Sequence, residues 1–465
     1  MTEPTSGPPD RGAAPATAEL LSTGPSAAAG GRSLRPLAGV LAAIAVSSTG
    51  TRVSAVALPW FVLSTTGSAT LTGVVAFCEM TPYVLVKAFT GPLVDRVGPR
   101  TVSWTADLVS SCAAGAVPPL YVTHLLPFWP LSCLVVLIGA ARGPGDLAKE
   151  VMVPEAAEAG RVPLERATGL AGVTERLASG VGPAVGGALV ALLGPLTGLA
   201  VNAACFAAGS LIIALALPRG MGRGAARPDR DGDDAGHQGE GYWRRLGEGL
   251  VFLRGEPLML SLVIMIGLTN LLDAAFLSVL VPVWARTSGG GPAAIGLTEG
   301  VWGAAAVGGS LVAAVVAHRM RRRAVFFAGF LIAGSPRFFV LALGVPMWVV
   351  LAAFAAGGIG AGLLNPILGA ITFERVPRRL WGRVHALGDS VAWAGVPFGG
   401  LLAGALIAAF GLAPVLVAGG AAYFLTTNLA GLRPEWREMD RLRGHGAPAE
   451  PPRRQDHEDT HRAAH

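Results

Sequence analysis

The chain has 465 residues, of which 52% are hydrophobic and only 14% charged, and its mean hydropathy is +0.54. Soluble domains carry roughly a quarter charged residues, so the polar surface needed to cover a water-facing globule is missing and the chain reads as a membrane protein. The net charge of +6 rests on arginine, with Lys87 and Lys149 as the two lysines; neither lies in a G-x-x-x-x-G-K-S/T loop, which excludes a fused P-loop motor, and the arginines form no continuous basic face, which argues against a nucleic-acid partner.

Residues 1–35, rich in Pro, Ala, Gly, Ser and Thr without a signal-type apolar run, are expected to form a disordered cytoplasmic tail. Apolar stretches of about 20 residues, the length a bilayer demands of a helix, then follow one another. They fall at about 36–62, 68–92, 101–122, 127–148, 165–192, 195–217, 257–285, 293–317, 324–343, 346–371, 384–409 and 412–431, which makes twelve. Arginines and lysines mark alternate connections, at Arg32 and Arg35, Arg96 and Arg100, Lys149 with Arg161 and Arg166, Arg219 to Arg254, Arg319 to Arg323 and Arg375 to Arg383. Basic loops stay cytoplasmic, so both termini are expected inside, with Arg286 as the exception to the pattern.

The Asp-, Gly- and Arg-rich stretch within 219–256 reads as a solvated linker, and 432–465 as a second cytoplasmic tail. Helices at 36–218 and 257–431 are thereby divided into six and six. The expected fold is an all-α membrane protein of two pseudo-symmetric six-helix bundles, with a central site between them near the bilayer midplane.

Between the second and third apolar segments runs Gly91-Pro92-Leu93-Val94-Asp95-Arg96-Val97-Gly98-Pro99-Arg100. Its glycines permit a tight turn and its charges sit at helix ends. This segment resembles the signature loop of the major facilitator superfamily, G-x-x-x-D-R/K-x-G-R/K-R/K, with Pro99 where a basic residue is usual. The resemblance implies that Gly91, Asp95, Arg96, Gly98 and Arg100 form a gating element in which Asp95 caps a helix of the other half and latches the outward-facing state.

The fifth segment holds Gly180-Val181-Gly182-Pro183-Ala184-Val185-Gly186-Gly187, small enough for close helix approach and kinked by its proline. It is similar to the G-x-x-x-G-P-x-x-G-G motif of drug/proton antiporters, with Ala178 at the first glycine. Gly67-Ser68-Ala69, Thr81-Pro82, Pro154, Val376-Pro377 and Gly382-Arg383-Val384 extend the likeness to the branch that includes macrolide-efflux and enterobactin-exporter proteins. That resemblance, over about 36–431, implies export of small organic molecules in exchange for protons. In such exporters an arginine is common at the place of Arg176, which marks Arg176 as structural or gating.

Ionisable side chains inside apolar segments are costly unless paired, hydrated or neutralised. Arg52 and Glu79 fall near the middle of the first and second helices, within expected reach of each other: either a proton-coupling carboxylate balanced by a cation, or a fixed pair locking two helices. Lys87 and Asp107 share a depth nearer the cytoplasm and are expected to pair, with Arg142, Glu175 and Arg176 extending the network. Asn270 and Asp273, three residues apart, share a helix face that lines the expected cavity. Glu299, Arg337, Asn365 and Asp389 are weaker candidates. Trp60, Phe77, Tyr83, Phe276, Trp302 and Trp393 offer either an aromatic lining for a hydrophobic drug or lipid-facing packing.

Enzyme-like signals fail on context. Gly358-Ile359-Gly360-Ala361-Gly362 lies in an apolar span and lacks dinucleotide-loop spacing, and no H-E-x-x-H occurs, so neither cofactor nor metal is expected. Cys78, Cys112, Cys133 and Cys205 read as small packing residues. The expected protein is a monomeric proton-driven exporter of a small hydrophobic or amphipathic compound in a bacterial inner membrane, its partners being substrate, protons and lipid. A nutrient importer or facilitator on the same fold and a transport-inactive membrane sensor are the alternatives.

Overall fold

A computed structural model of the chain describes residues 33–219, 221, 247, 251, 253–316, 322–375, 381–432 and 436. Most of the 1–35 tail, most of the 219–256 linker, Val376-Pro377 and nearly all of 432–465 lie outside the described residues, as do the side chains of Asn365 and Arg383. The first half comprises α1 (Arg35–Thr66), α2 (Ala69–Phe89), α3 (Gly91–Val97), α4 (Pro99–Val122), α5 (Phe128–Gly160), α6 (Leu164–Leu193) and α7 (Pro195–Ala216). In the second, α8 (Pro257–Ala275) runs through a π-helical turn (Phe276–Leu280) into α9 (Val281–Thr287). There follow α10 (Gly291–Val316), α11 (Arg322–Ala333), α12 (Ser335–Ala342), α13 (Met347–Arg375), α14 (Trp381–Ala394), α15 (Val396–Phe410) and α16 (Leu412–Leu432).

Among the described residues, ten helical segments are long and apolar enough to cross a membrane. Helices α4 and α16, of 24 and 21 residues, pack into the same bundles, consistent with the expected twelve crossings. Ser103, Thr105, Asp107, Ser110, Ser111 and the Pro118-Pro119 pair make α4 the least apolar of them. Helix α1 begins and α16 ends on one side of the molecule, called here the near face; the other is the far face.

Three features depart from the sequence expectation. Helix α5 does not stop at 148 but runs for 33 residues, from Phe128 to Gly160, carrying Lys149 into the protein interior at 3% exposure where a loop was expected. The second half breaks its helices: at the π-turn after Asp273, at Gly334 before Pro336, and at Gly395 before Pro397. Each proline lacks the N–H that would continue the preceding helix, and a Cβ at Gly334 would overlap the Tyr423 ring. Trp436, assigned from sequence to a free tail, is fully buried and stacks on Phe326 with ring centroids 5.6 Å apart.

Apolar packing in the first half separates into two layers. Leu37, Val40, Met152, Ala156 and Ile213 form one at the near face, and Phe61, Val62, Val75, Val117 and Leu199 form the other at the far face. The level between them holds the buried Ser47, Asp107, Ser110, Arg142, Lys149 and Asn202. The second half has one continuous core that includes Phe276, Phe338, Phe354 and Leu416.

The halves meet along two helix pairs, α6 against α10 and α2 against α15, and both contacts lie from mid-helix to the far face. Backbone approaches backbone there. A Cβ on Gly187 would stand 2.5 Å from Gly296 Cα, one on Gly404 would stand 2.6 Å from Ala69 O, and Gly73 abuts the Gly400 carbonyl. Such approach is open only to small residues, and it is how membrane helices gain contact where no hydrophobic force drives them together. Gly187→Ala should therefore cost about 1–3 kcal/mol as an overpacked contact, lowering the melting temperature of the purified protein. Gly169→Ala, on the same helix with nothing within 4 Å, should leave it unchanged.

Candidate transport site

Helix α5 presents Arg142, Asp146 and Lys149 on one face, at i, i+4 and i+7. Arg142 Nη1 donates to Glu79 Oε1 of α2 at 2.7 Å, with the two side chains 10% and 18% exposed. Arg142 Nε stands 3.8 Å from Asp146 Oδ2, beyond hydrogen-bond length, and is buried without a hydrogen-bond partner. Lys149 Nζ donates to Asp107 Oδ1 of α4 at 2.8 Å and lies 4.0 Å from Asp146 Oδ1. Ser47 of α1 donates to the other Asp107 oxygen at 3.3 Å. Tyr83 of α2 donates to Asp146 at 3.4 Å, and the Arg142 guanidinium sits 4.4 Å from its ring centroid.

These contacts make one ladder, Glu79, Arg142, Asp146, Lys149, Asp107, running from mid-membrane toward the near face. Asp146 is its wettest rung at 33% exposure, against 2% for Asp107. Beyond the Glu79–Arg142 pair a cavity inside the first half is lined by Ser54, Glu79, Arg142, Asn202 and Phe206 among others, and Asn202 Oδ1 is buried there without a partner.

The expected pairings change accordingly. Glu79 is held by Arg142 and not by Arg52; Asp107 is held by Lys149 and not by Lys87, which instead reaches the half-exposed Glu150 at 3.1 Å. Depth alone set the expected pairs, and depth leaves the angular position around each helix open. Arg52 lies within electrostatic range of Glu175 on α6 and, across the interface, Glu299 on α10. Arg176 is exposed and stands apart from the ladder, as does the exposed Asp95. Asp146 escaped the sequence reading because it follows the Arg142-Gly143-Pro144-Gly145 stretch; its place four residues after Arg142 was the available signal.

In the signature segment, Gly98 has φ +92°, a conformation that favours glycine, and turns α3 into α4. Arg100 donates from Nη2 to Ala214 O at 2.6 Å and from Nε to Leu217 O at 3.1 Å, satisfying carbonyls at the end of α7. A Cβ at Gly91 would meet nothing within 4 Å, and Arg96 is exposed. The glycines of α6 serve two neighbours. Gly182 and Gly186 admit Arg52 and Val53 of α1, while Gly187 and the Pro183 carbonyl meet Gly296 of α10.

In the second half Asn270 and Asp273 are used separately. Asn270 Nδ2 donates to Ala392 O at 3.0 Å, tying α8 to the end of α14, and Asp273 pairs with the buried Arg337 of α12. The Arg337 guanidinium is caged by aromatic faces, 4.6 Å from the Phe276 centroid and 4.7 Å from that of Trp302. Trp302 thus belongs to this cage. Phe77 meets Phe398 at 5.6 Å and Tyr83 meets Trp393 at 6.3 Å, both contacts crossing between halves. Arg286, the exception to the charge pattern, donates to Leu63 O at 2.6 Å and ties α9 to the far end of α1.

Two helical bundles that meet along small-residue seams, the first holding a buried layer of charge, have the layout of a polytopic membrane transporter, and the chain is a transporter of the major facilitator superfamily. The family described as Transmembrane secretion effector matches residues 36–455, and the chain belongs to it. It is 31% identical over 408 residues to the multidrug efflux pump Tap of Mycolicibacterium fortuitum, covering 87% of this chain and 97% of that one. It is 32% identical over 415 residues to the multidrug efflux pump Tap of Mycobacterium tuberculosis, covering 86% and 94%. In fold it is similar to the nucleoside transporter NupG, with TM-score 0.66 at 10% identity over 87% of this chain and 98% of that one. It is also similar to a bacterial homologue of the human lysosomal transporter Spinster in an inward-facing, unoccupied conformation, with TM-score 0.64 at 14% identity over 90% and 100%.

Removing one partner of a buried pair strands the other. Lys149→Met should destabilise the purified protein by about 3–5 kcal/mol, and Lys149→Met with Asp107→Leu should recover most of that loss in a denaturation-based double-mutant cycle. Glu150→Gln, at the half-exposed pair, should cost less than about 1 kcal/mol.

Proposed function

We propose that this transporter exports small hydrophobic or amphipathic compounds, drugs or secondary metabolites, from a bacterial cytoplasm by antiport with protons. The observation that carries the proposal is the Glu79–Arg142 pair: a carboxylate and a guanidinium near the middle of the first half, bordering a cavity and joined by Asp146 to a wetter level. A carboxylate so placed exists in two states, ionised and bound to Arg142, or protonated and released from it. That is the property an exchange cycle requires. The likeness to two proteins named multidrug efflux pump supports the substrate class.

The cycle follows from where the halves touch. With both termini cytoplasmic, the far face is outside, so the α6–α10 and α2–α15 contacts and the Arg286–Leu63 clasp close the outer side. Rocking of one half against the other would part these contacts and bring the signature segment, with Asp95, against the second half. Among the coupling candidates Glu79 is preferred. Asp107 is fixed by both Lys149 and Ser47, Asp273 is held by a caged arginine, and Arg52, with no carboxylate in contact among the described residues, tunes the interface from the first half.

The test is ethidium accumulation in bacteria lacking their own efflux pumps. Wild-type protein should lower accumulation several-fold relative to empty vector, and a protonophore or Glu79→Gln should abolish the effect at equal expression. Export that persists at full rate in Glu79→Gln would remove Glu79 from the coupling role, and export insensitive to the protonophore would remove proton antiport.

A further inference from the structure

The ladder in the first half contains three carboxylates, Glu79, Asp146 and Asp107, and two cations, Arg142 and Lys149. Three anions sharing two cations leave one negative charge uncompensated. In a low-dielectric layer that charge is balanced most readily by a proton. The geometry shows which carboxylate is short of a partner. Glu79 has Arg142 at 2.7 Å and Asp107 has Lys149 at 2.8 Å, while Asp146 has the neutral Tyr83 hydroxyl at 3.4 Å and each cation of the ladder only at 3.8 Å and 4.0 Å. Yet the Arg142 nitrogen that faces Asp146 is buried with its hydrogen-bonding capacity unused. A buried donor without a partner is costly, and a small movement of the guanidinium would satisfy it.

We propose that Asp146 is the alternate partner of Arg142, so that one proton and one guanidinium exchange places between Glu79 and Asp146. In the arrangement seen, Arg142 binds ionised Glu79 and the proton resides on Asp146. In the other, the proton leaves the Asp146 carboxyl oxygen and ends on a Glu79 carboxyl oxygen, the Arg142–Glu79 hydrogen bond breaks, and Arg142 bonds Asp146. No charge is created or lost in the layer. Asp146, a third exposed, is where the proton meets near-face water, and the buried Asp107–Lys149 pair keeps Lys149 from neutralising Asp146 outright. The other ionisable groups facing this site are Arg52 from α1, Tyr83 and Lys87 from α2, and Glu150 from α5, with Glu175 of α6 acting through Arg52. Lys87 and Glu150 neutralise each other. The use of this exchange in a cycle rests on the antiport reading; the exchange itself does not.

Dicyclohexylcarbodiimide, which modifies protonated carboxyls in membrane proteins, tests it without a substrate. The purified full chain is labelled at fixed neutral pH and modification of Glu79 is quantified by peptide mass spectrometry. Asp146→Asn leaves two carboxylates for two cations, so labelling of Glu79 should fall several-fold. Asp146→Glu should restore it, Arg142→Gln should raise it, and Glu150→Gln should leave it near the wild-type level. Glu79 labelling that is unchanged or increased in Asp146→Asn, or absent in every variant including Arg142→Gln, would overturn the proposal. If the labelling responds as expected but ethidium export ignores the protonophore, the antiport reading fails and the exchange stands; protonophore-sensitive export with no labelling response removes the exchange alone.

Discussion

Charge held in the middle of a bilayer constrains this molecule more than any other feature. Each ionised side chain there costs several kcal/mol unless a partner or water offsets it, and the first half places Glu79, Asp107, Arg142, Asp146 and Lys149 in one layer. The packing conforms to them. The apolar core of that half is split into near-face and far-face clusters with the charges between. Glycines 139, 143 and 209 bring neighbouring helices to that layer, Gly139 against the Glu79 carbonyl and Gly209 beside Ser47 and Asp107. Helix α5 extends well past the length a bilayer needs because the lysine that would have ended it is neutralised inside.

Much of this architecture is written in the sequence, and the limits of that legibility are physical. Runs of apolar residues mark where helices cross, since a span needs about 20 of them whatever it packs against. Ends are less legible: Lys149 and Glu150 look like a loop beginning until Asp107 and Lys87 are seen to meet them. Partners are the least legible. Residue counting gives depth at 1.5 Å per residue, whereas pairing depends on which helices are neighbours and how each is turned. Arg52 and Arg142 both fall near mid-membrane, and only the fold shows that α5, not α1, turns its arginine toward Glu79. The breaks at Gly334 and Gly395 had a local signal, a glycine two residues before a proline, but an unbroken apolar pattern concealed it.

The halves resemble each other in layout and differ in how they hold charge. The first uses long helices and a chain of ion pairs with one carboxylate too many. The second interrupts three crossings and holds Asp273 with Arg337, whose guanidinium is enclosed by Phe276, Trp302, Phe338 and Tyr423. Aromatic faces attract a desolvated guanidinium with about 2 kcal/mol or more, so that pair is held by its surroundings as well as by its own attraction. Arg337 Nε, like Arg142 Nε, is buried without a hydrogen-bond partner, so the difference lies in the surroundings: an arginine caged by rings suits a fixed support, and an arginine with a second carboxylate 3.8 Å away suits a part that changes state.

The seam between the halves has the complementary property. Gly187 on Gly296, Gly73 on Gly400 and Gly404 on Ala69 bring backbones together with few side chains to disengage. Contacts of that kind are close yet shallow: they gain dispersion energy from proximity, and separating them leaves smooth helix faces instead of unpaired pockets. The Arg286 bond to a helix-end carbonyl adds a directional tie at the rim, where water can replace it. On the proposed exchange, an interface of this kind set beside a charge layer whose arrangement depends on one proton would allow a small change at Glu79 to bias the position of the two bundles. Because Arg52 of α1 lies within electrostatic range of Glu175 of its own half, Glu299 of the other and Arg142, the proposed shift of Arg142 toward Asp146 would alter the electrostatics of the seam as well as of the ladder.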